Sequence, residues 1–211
     1  MDVSPPRATG LVALVPTAFT FSSLLSASGA LVLLVLAPQT TLRDAAVAAC
    51  IAWSMVADGL DGPLARKLHA ESSLGAHLDS LADLTAFGVA PALWLISRHG
   101  LAFGAPAVLL GMAWIGAAAF RLARFADDGV KPGRFGPAFR GVPTPVAAAF
   151  LVVSVAIGAR LSSPVLELCA VAVGVLLMPS SVPYPKAGIG RWPWVVAVPI
   201  AVVVLTLHAQ P

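Results

Sequence analysis

The sequence has few charged residues and almost no cysteine or tyrosine. Of its 211 residues 11% are charged, two are cysteine and one is tyrosine. A water-soluble domain carries about 25% charged residues, so this chain has too little polar surface to cover itself in water. Cys50 and Cys169 both lie in apolar stretches, and two cysteines supply neither a disulfide framework nor a four-thiolate metal site. These deficits exclude an ordinary soluble domain and a cysteine-based scaffold.

The chain also lacks a dense basic run. It carries 13 Lys and Arg against 10 Asp and Glu, a formal net charge of +3 at pH 7, and no basic patch interleaved with aromatic residues. Nucleic-acid binding depends on such a patch and is therefore not expected. Apolar residues dominate instead, at 58% of the chain, with a mean hydropathy of +0.90. The composition predicts an integral membrane protein surrounded by lipids.

Cutting the chain at its polar residues leaves seven apolar pieces. They are residues 11–38, 43–69, 72–97, 101–126, 141–159, 161–179 and 192–208. A helical span needs about 20 apolar residues to cross roughly 30 Å of hydrocarbon. The shorter seventh piece opens with Trp192 and Trp194, as is typical of a membrane interface. We predict an all-α, polytopic transmembrane helix bundle with six core spans and a seventh.

Lysine and arginine are divided unequally between the two ends of the predicted spans. With the amino terminus inside, ten of them fall on the cytoplasmic side and three, Arg43, Arg98 and Arg160, on the other. Cytoplasmic loops of membrane proteins carry the excess of basic residues. We therefore expect a protein of the cell (inner) membrane, with residues 1–10 as a cytoplasmic segment and residues 98–100 in a loop on the opposite side.

Four aspartates lie within the predicted spans. Asp58 and Asp61 fall in the second span, and Asp79 and Asp83 in the third. Each carboxylate costs around 2.5 to 3.5 kcal/mol on insertion scales, so all four must face the bundle interior and meet positive partners. The spacings i, i+3 and i, i+4 put each pair on one face of its helix.

A turn between these two spans brings the pairs together. In one straight helix Asp61 and Asp79 would be about 27 Å apart at 1.5 Å per residue. The polar segment 69–73 supplies a turn about nine residues from each of them. Folded antiparallel, the helices put Asp61 level with Asp79, and Asp58 nearly level with Asp83, about 13 Å from the turn. We expect an intramembrane carboxylate site near the cytoplasmic face.

Four negative charges in one small cavity repel unless divalent cations neutralise them. Oxygen ligands select hard ions such as Mg²⁺, Mn²⁺ or Ca²⁺, and two such ions balance four carboxylates. The alternative is the ion or proton relay of a transporter. The neighbouring residues favour phosphoryl transfer, because Gly62 and Ala65 open a notch beside the acids and Arg66 offers a planar fork suited to phosphate.

The order of these residues resembles the signature of the CDP-alcohol phosphotransferases. The run reads Asp58-Gly59-Leu60-Asp61-Gly62-Pro63-Leu64-Ala65-Arg66, followed by Gly75, Asp79 and Asp83. The resemblance implies transfer of a phosphatidyl group from a CDP-linked lipid to an alcohol, with release of CMP. It also implies a membrane domain of this family over residues 11–190, followed by an additional span within residues 191–211.

Three further stretches look like the serine-using branch, the CDP-diacylglycerol–serine O-phosphatidyltransferases. They are residues 120–125 (FRLARF), 139–145 (FRGVPTP) and 177–186 (LMPSSVPYPK). This resemblance implies CDP-diacylglycerol and L-serine as substrates and, at the level of the family, a homodimer. Another acceptor, such as glycerol phosphate, inositol phosphate or choline, stays open, and so does the ion-coupled transporter.

The resemblance also implies roles for individual residues. Asp58, Asp61 and Asp79 are expected to ligate two divalent ions, Mg²⁺ or Mn²⁺, and Asp83 to combine ligation with the role of general base. Substrate contacts are expected from Thr20, Gly62, Ala65, Arg66, Gly75, Arg121, Arg124 and Lys186. Thr17 stands where members of the family often have asparagine.

Outside these motifs, Glu167 in the sixth span is an unexplained charge. We expect it to pair inside the bundle with a basic residue that the sequence does not identify.

Overall fold

The computed structural model describes residues 11–128, 131–133 and 136–185, which form a helical bundle with a small sheet at one end. The helices are α1 Leu11–Leu36, α2 Thr41–Lys67, α3 Ser73–Asp83, α4 Ala90–Phe103, α5 Ala105–Asp128, α6 Thr144–Leu161 and α7 Pro164–Leu177. A π-helical segment, Leu84–Val89, joins α3 to α4 without a break. The all-α prediction is confirmed, whereas Lys186 and the predicted seventh span lie outside the described residues.

Five helical segments among the described residues are long and apolar enough to cross a membrane. They are Leu14–Leu36, Thr41–Lys67, Ser73–Gly100, Ala105–Asp127 and Thr144–Leu161. The protein is therefore an integral membrane protein. Helix α7 has 14 residues, about 21 Å at 1.5 Å per residue, and so is shorter than the predicted sixth span. Pro164 is its first residue, a position where the missing amide hydrogen of proline costs no hydrogen bond. Pro179 follows its end, where the missing amide hydrogen prevents the helix from continuing.

The helices run alternately between two ends of the bundle, which we call the hairpin end and the distal end. The hairpin end holds residues 68–72, which connect α2 to α3, and the distal end holds the connections after α1, α4 and α6. His69 adopts a left-handed conformation with φ of 51°, and the Ser72 side chain caps α3 by accepting a hydrogen bond from the Gly75 amide at 3.0 Å. The predicted turn between the second and third spans is thus present.

A three-stranded antiparallel sheet lies at the hairpin end, where the sequence predicts only loops. β1 (Lys131–Gly133) pairs with β2 (Gly136–Arg140), and β2 pairs with β3 (Pro183–Pro185). Strands of three to five residues rich in proline and glycine are too short to show an alternating pattern in the sequence. After β2 the chain turns at Gly141, whose φ is +75°. A Cβ there would lie 2.2 Å from the Met178 carbonyl oxygen, so only glycine fits.

Small side chains dominate the core, which allows the helices to approach closely. Many of the buried residues are alanines, and the largest fully buried side chains include Trp94, Trp114 and Phe87. The Trp114 Nε1 donates a hydrogen bond to the Phe87 carbonyl oxygen at 2.9 Å and so satisfies a backbone group of the π-helical segment. A Cβ at Gly174 would lie 2.3 Å from the Trp114 ring, so glycine lets α7 pack against α5.

A buried ion-pair network closes the distal end. Arg98 of α4 donates to both carboxylate oxygens of Glu167 on α7, at 3.0 and 2.9 Å, and also pairs with Asp44 of α2. The His99 Nε2 lies 2.7 Å from a Glu167 oxygen, and Arg43 donates to Asp44 at 3.0 Å. Glu167 is only 1% exposed. Its expected pairing with a basic residue is confirmed, and three helices are tied together.

The network also explains why α4 extends further than the sequence predicts. Residues 98–100 are helical and α4 continues to Phe103, so Arg98 does not lie in a loop. A charged residue can stay within a helix at this depth because opposite charges on α2 and α7 compensate it. Gly104, with φ of +57°, then makes the whole connection to α5.

Candidate active site

Three carboxylates meet where α2 and α3 run side by side, on the hairpin-end half of the bundle. Asp58 and Asp61 of α2 and Asp79 of α3 each offer a carboxylate oxygen, and these oxygens lie within 4.8 Å of one another. The short connection at residues 68–72 forces the two helices to be antiparallel. Asp61 and Asp79, which are 18 residues apart in sequence, therefore lie at the same depth in the bundle. The structure therefore brings together three of the four predicted acids.

The fourth acid, Asp83, adjoins the same cluster. It is the last residue of α3 and is buried, and its carboxyl group interacts with that of Asp58. Asp61 and Asp79 make the corresponding contact one turn closer to the hairpin. The acids thus form two adjacent pairs, in the register that the sequence spacing predicts.

The donor atoms and their spacing fit divalent cations. Mg²⁺ holds oxygen ligands at about 2.0–2.1 Å and Ca²⁺ at about 2.3–2.6 Å, so two ligands of one ion are at most about 4.2 to 5.2 Å apart. Oxygens that lie within 4.8 Å of one another are inside the Ca²⁺ limit, and shifts of about 0.6 Å or less would bring them inside the Mg²⁺ limit. Of the basic side chains in the described part of the chain, Arg121 interacts with Asp58 and Asp83. Even with Arg66 in the wall of the adjacent cavity, the four carboxylates outnumber these arginines, and the negative excess suits cations.

Helix α1 contributes a hydroxyl group to the cluster. The Thr20 Oγ1 donates a hydrogen bond to the Asp61 Oδ2 at 2.8 Å, and Thr20 is 4% exposed. A fixed hydrogen bond of this kind orients a carboxylate that ligates a metal. The sequence predicts Thr20 as a substrate contact, and the structure places it both on Asp61 and in the wall of the adjacent cavity.

A cavity of about 210 Å³ opens beside the acids between α1, α2 and α3. Its wall includes Thr17, Thr20, Asp61, Gly62, Ala65, Arg66, Ser72, Gly75 and Asp79. The predicted substrate contacts of the signature therefore line one cavity together with two of the acids. A Cβ at Gly62 would lie 3.5 Å from the Arg66 Nη1, an ordinary van der Waals contact, so the guanidinium group lies directly against this part of the wall.

Arg121 approaches the acids from α5. It is 6% exposed, its guanidinium group interacts with Asp83 and Asp58, and its Nη1 donates to the Thr144 Oγ1 at 3.2 Å. Its Cζ also lies 5.7 Å from the centre of the Phe125 ring. Arg121 therefore interacts with the acids, and its contact with substrate stays a prediction. The sequence does not identify Thr144, because a threonine at the start of a helix usually acts as a cap.

Arg124, one turn further along α5, makes different contacts. Its Nη1 donates to the Pro179 carbonyl oxygen at 2.7 Å, and its Nη2 donates to the carbonyl oxygens of Arg140 and Ser180, both at 2.9 Å. The sequence treats Arg121 and Arg124 as equivalent substrate ligands. The structure separates them, since the guanidinium group of Arg124 is bonded to backbone carbonyl groups, which leave no mark in a sequence.

Comparison with known proteins gives a consistent result. A family model described as CDP-alcohol phosphatidyltransferase matches residues 13–180. The CDP-diacylglycerol–serine O-phosphatidyltransferase of Mycobacterium leprae is 40% identical over 132 residues, which are 57% of this chain and 43% of that protein. The proteins of the same name from Helicobacter pylori and Methanocaldococcus jannaschii are 33% and 37% identical, over 66% and 63% of this chain and 60% of each relative. The chain spans about half the length of these relatives.

Proposed function

Since the chain belongs to the CDP-alcohol phosphatidyltransferase family, we propose that it transfers the phosphatidyl group of CDP-diacylglycerol to L-serine. The products are phosphatidylserine and CMP. The observation that carries this proposal is the cluster of Asp58, Asp61 and Asp79 beside a cavity lined by the rest of the family signature. The names of the similar proteins support serine as the acceptor.

The four aspartates are the proposed ligands of two divalent cations, Mg²⁺ or Mn²⁺. The oxygens of Asp58, Asp61 and Asp79 lie close enough together to bind cations jointly, and Asp83 interacts with Asp58. When bound, such cations neutralise the acids, polarise the pyrophosphate of the donor and stabilise charge on the departing CMP.

The cavity between α1, α2 and α3 is the proposed site of the CDP portion of the donor. Arg66 can pair with a phosphate through its planar fork. The small residues Gly62 and Ala65 line the wall next to it, and Gly75 borders the cavity from α3. Thr20 holds Asp61 from the α1 side. A donor bound here would have its phosphates next to the acids.

The acceptor is proposed to bind on the other side of the acids, between Asp83 and Arg121. Asp83 adjoins Asp58, and Arg121 interacts with both. Arg121 would bind the carboxylate of serine, and Asp83 would take the proton of its hydroxyl group. The new bond joins the serine oxygen to the phosphorus atom of the phosphatidyl group as the bond from that phosphorus to CMP breaks.

Within the described residues, the basic groups favour serine over a phosphorylated acceptor. A phosphate dianion is best held by several guanidinium forks at once. Arg121 interacts with the acids, whereas Arg124 is bonded to backbone carbonyl groups. One fork matches one carboxylate better than it matches glycerol phosphate or inositol phosphate.

The packing disfavours the ion-coupled transporter. Ile51, Met55 and Phe87 are fully buried between the acid cluster and the distal end. Beyond them, Arg98 and Glu167 tie helices together. A transporter needs a polar route across the bundle, and these described residues fill its middle with apolar side chains.

We further propose that the protein lies in the inner membrane with its hairpin end facing the cytoplasm. We also propose that it is a homodimer, as the resemblance to the family implies. The ten-to-three division of Lys and Arg supports the orientation. A His69→Cys variant in sealed vesicles should react with an impermeant thiol reagent only from the cytoplasmic side. Labelling from the outside would invert the orientation.

The acceptor is tested by CMP release from CDP-diacylglycerol in the presence of Mn²⁺ and one alcohol at a time. Serine should support release and yield phosphatidylserine, whereas glycerol phosphate, inositol phosphate and choline should not. Release with another alcohol in place of serine would contradict the proposed acceptor. No CMP with any alcohol, together with substrate-driven ion flux in liposomes, would favour the transporter.

A further inference from the structure

Three sequence segments that are far apart in the chain meet at one point through Arg124. Its guanidinium group, in the segment 120–125, bonds the carbonyl oxygen of Arg140 and those of Pro179 and Ser180. These acceptors belong to the segments 139–145 and 177–186. The acceptors are 16, 55 and 56 positions away, so the arginine joins the ends of α5, β2 and α7.

Backbone contacts complete this junction. The Gly141 amide donates to the Val182 carbonyl oxygen at 2.9 Å, and the Val142 amide donates to the Leu177 carbonyl oxygen at 3.2 Å. Gly141 adopts a left-handed conformation directly against the Met178 carbonyl group, where a Cβ would not fit. The residues that precede α6 are therefore fixed to the segment that follows α7.

The junction lies immediately before the start of α6. Thr144 is the first residue of α6, three positions after Gly141, and is 0% exposed. Its hydroxyl group accepts the hydrogen bond from Arg121 at 3.2 Å. The chain of contacts thus runs from Arg124 through the fixed backbone to Thr144 and ends at the guanidinium group of Arg121, which interacts electrostatically with Asp83.

We propose that Arg124 and Thr144 are positioning residues for the acceptor pocket. Thr144 holds the Arg121 guanidinium group next to Asp83, and Arg124 fixes the backbone from which Thr144 projects. This inference rests on the proposed function, in which Arg121 binds the carboxylate of serine. The residues that line the proposed donor cavity all fall between positions 16 and 79, so none of them belongs to the junction. The two residues therefore control the requirement for serine and leave the requirement for CDP-diacylglycerol unchanged.

The test measures KM separately for serine and for CDP-diacylglycerol in the full-length protein. Thr144→Val removes the hydroxyl group at nearly constant volume and should raise the KM for serine about tenfold, the scale of one hydrogen bond to a charged group. The KM for CDP-diacylglycerol should stay within about twofold. Thr144→Ser keeps the hydroxyl group and should restore the KM for serine.

Arg124→Lys provides a second, independent variant. Lysine keeps the charge but has one ammonium group and cannot serve three carbonyl groups in the geometry of a planar fork. The Arg124→Lys variant should therefore have a higher KM for serine, as the Thr144→Val variant should. The matched control is Ser154→Ala, on the same helix α6, because the Ser154 hydroxyl bonds only the Phe150 carbonyl group of its own helix among the contacts described.

The outcomes separate the two proposals. If the unmodified protein uses serine, but the Thr144→Val and Arg124→Lys variants change both KM values together or neither, the positioning role is wrong and the proposed function stands. If the unmodified protein does not use serine, both are wrong. A rise in the KM for serine alone, reversed in Thr144→Ser and absent in Ser154→Ala, supports the positioning role.

Discussion

Acidic side chains are buried at both ends of the bundle, but their partners differ. At the distal end Asp44 and Glu167 receive hydrogen bonds from two arginines and a tryptophan, and His99 lies against Glu167. At the hairpin end four aspartates contact one another. Their described partners of other types are the Thr20 hydroxyl group, the Gly62 backbone and Arg121.

Pairing, more than burial, separates a structural acid from a functional one in this bundle. A carboxylate already bonded to arginine at the distal end has little capacity left for another ligand. The aspartates at the hairpin end carry charge that the described protein groups do not balance, and they border a cavity that admits a ligand. Intramembrane carboxylates with such an excess imply ions from outside the chain.

The largest effect on turnover is expected from Asp61→Asn or Asp79→Asn. Either change removes a proposed metal ligand and should abolish CMP release. It also removes repulsion from an unbalanced cluster, so the metal-free variant should unfold at the same temperature as the unmodified protein or at a higher one. A thermal unfolding scan in detergent checks this second part. A clearly lower unfolding temperature would mean that these acids form stabilising ion pairs, as Asp44 and Glu167 do at the distal end.

Asp83→Asn is expected to lower turnover by at least about 10²-fold, the scale of a general base. Binding of CDP-diacylglycerol should survive, because three other carboxylates remain to hold cations. Turnover and donor binding are measured on the same preparation. Parallel loss of donor binding would make Asp83 chiefly a metal ligand.

Thr20→Ala should have a smaller effect, which appears in the metal requirement. The variant loses the hydrogen bond that orients Asp61, and such partners contribute about 10-fold to 100-fold to metal affinity. The Mn²⁺ concentration for half-maximal turnover should therefore rise about tenfold. Thr20→Ser keeps the hydroxyl group and serves as the control. An unchanged Mn²⁺ dependence in Thr20→Ala would show that the hydrogen bond to Asp61 is incidental.

Glu167→Gln should have the smallest effect on turnover and the largest on stability. It leaves the buried Arg98 partly uncompensated, and breaking a buried ion pair costs about 3–5 kcal/mol. The unfolding temperature should fall, while CMP release at a temperature where the protein is folded stays within about twofold. Asp127→Asn, at an exposed position of α5, is the control. Loss of turnover in folded Glu167→Gln would mean that the two ends are coupled.

Much of this arrangement could be predicted from local patterns in the sequence. The apolar lengths gave the long helices, and the spacing of Asp58, Asp61, Asp79 and Asp83 around a polar segment gave the hairpin and the register of the acids. These features depend on helix geometry over about 25 residues, and the constant rise and turn per residue allow the relative positions of side chains to be calculated from the sequence.

The remaining features depend on contacts between distant residues. Arg98 stays inside α4 because of Glu167, which is 69 positions away. Arg124 bonds carbonyl groups, which every residue has, so its sequence neighbours carry no sign of it. Helix periodicity does not specify which helix packs beside which, and partners of this kind follow only from that packing.

The metal dependence of CMP release tests the central claim most directly. The protein is treated with excess chelator, dialysed, and supplied with CDP-diacylglycerol and serine, first without and then with Mn²⁺ or Mg²⁺. We predict no CMP release before the cation is added and full release afterwards, with Asp61→Asn inactive in both conditions. Full turnover in excess chelator would contradict the account, because the acids at the hairpin end would then act without the cations that their charge and spacing require.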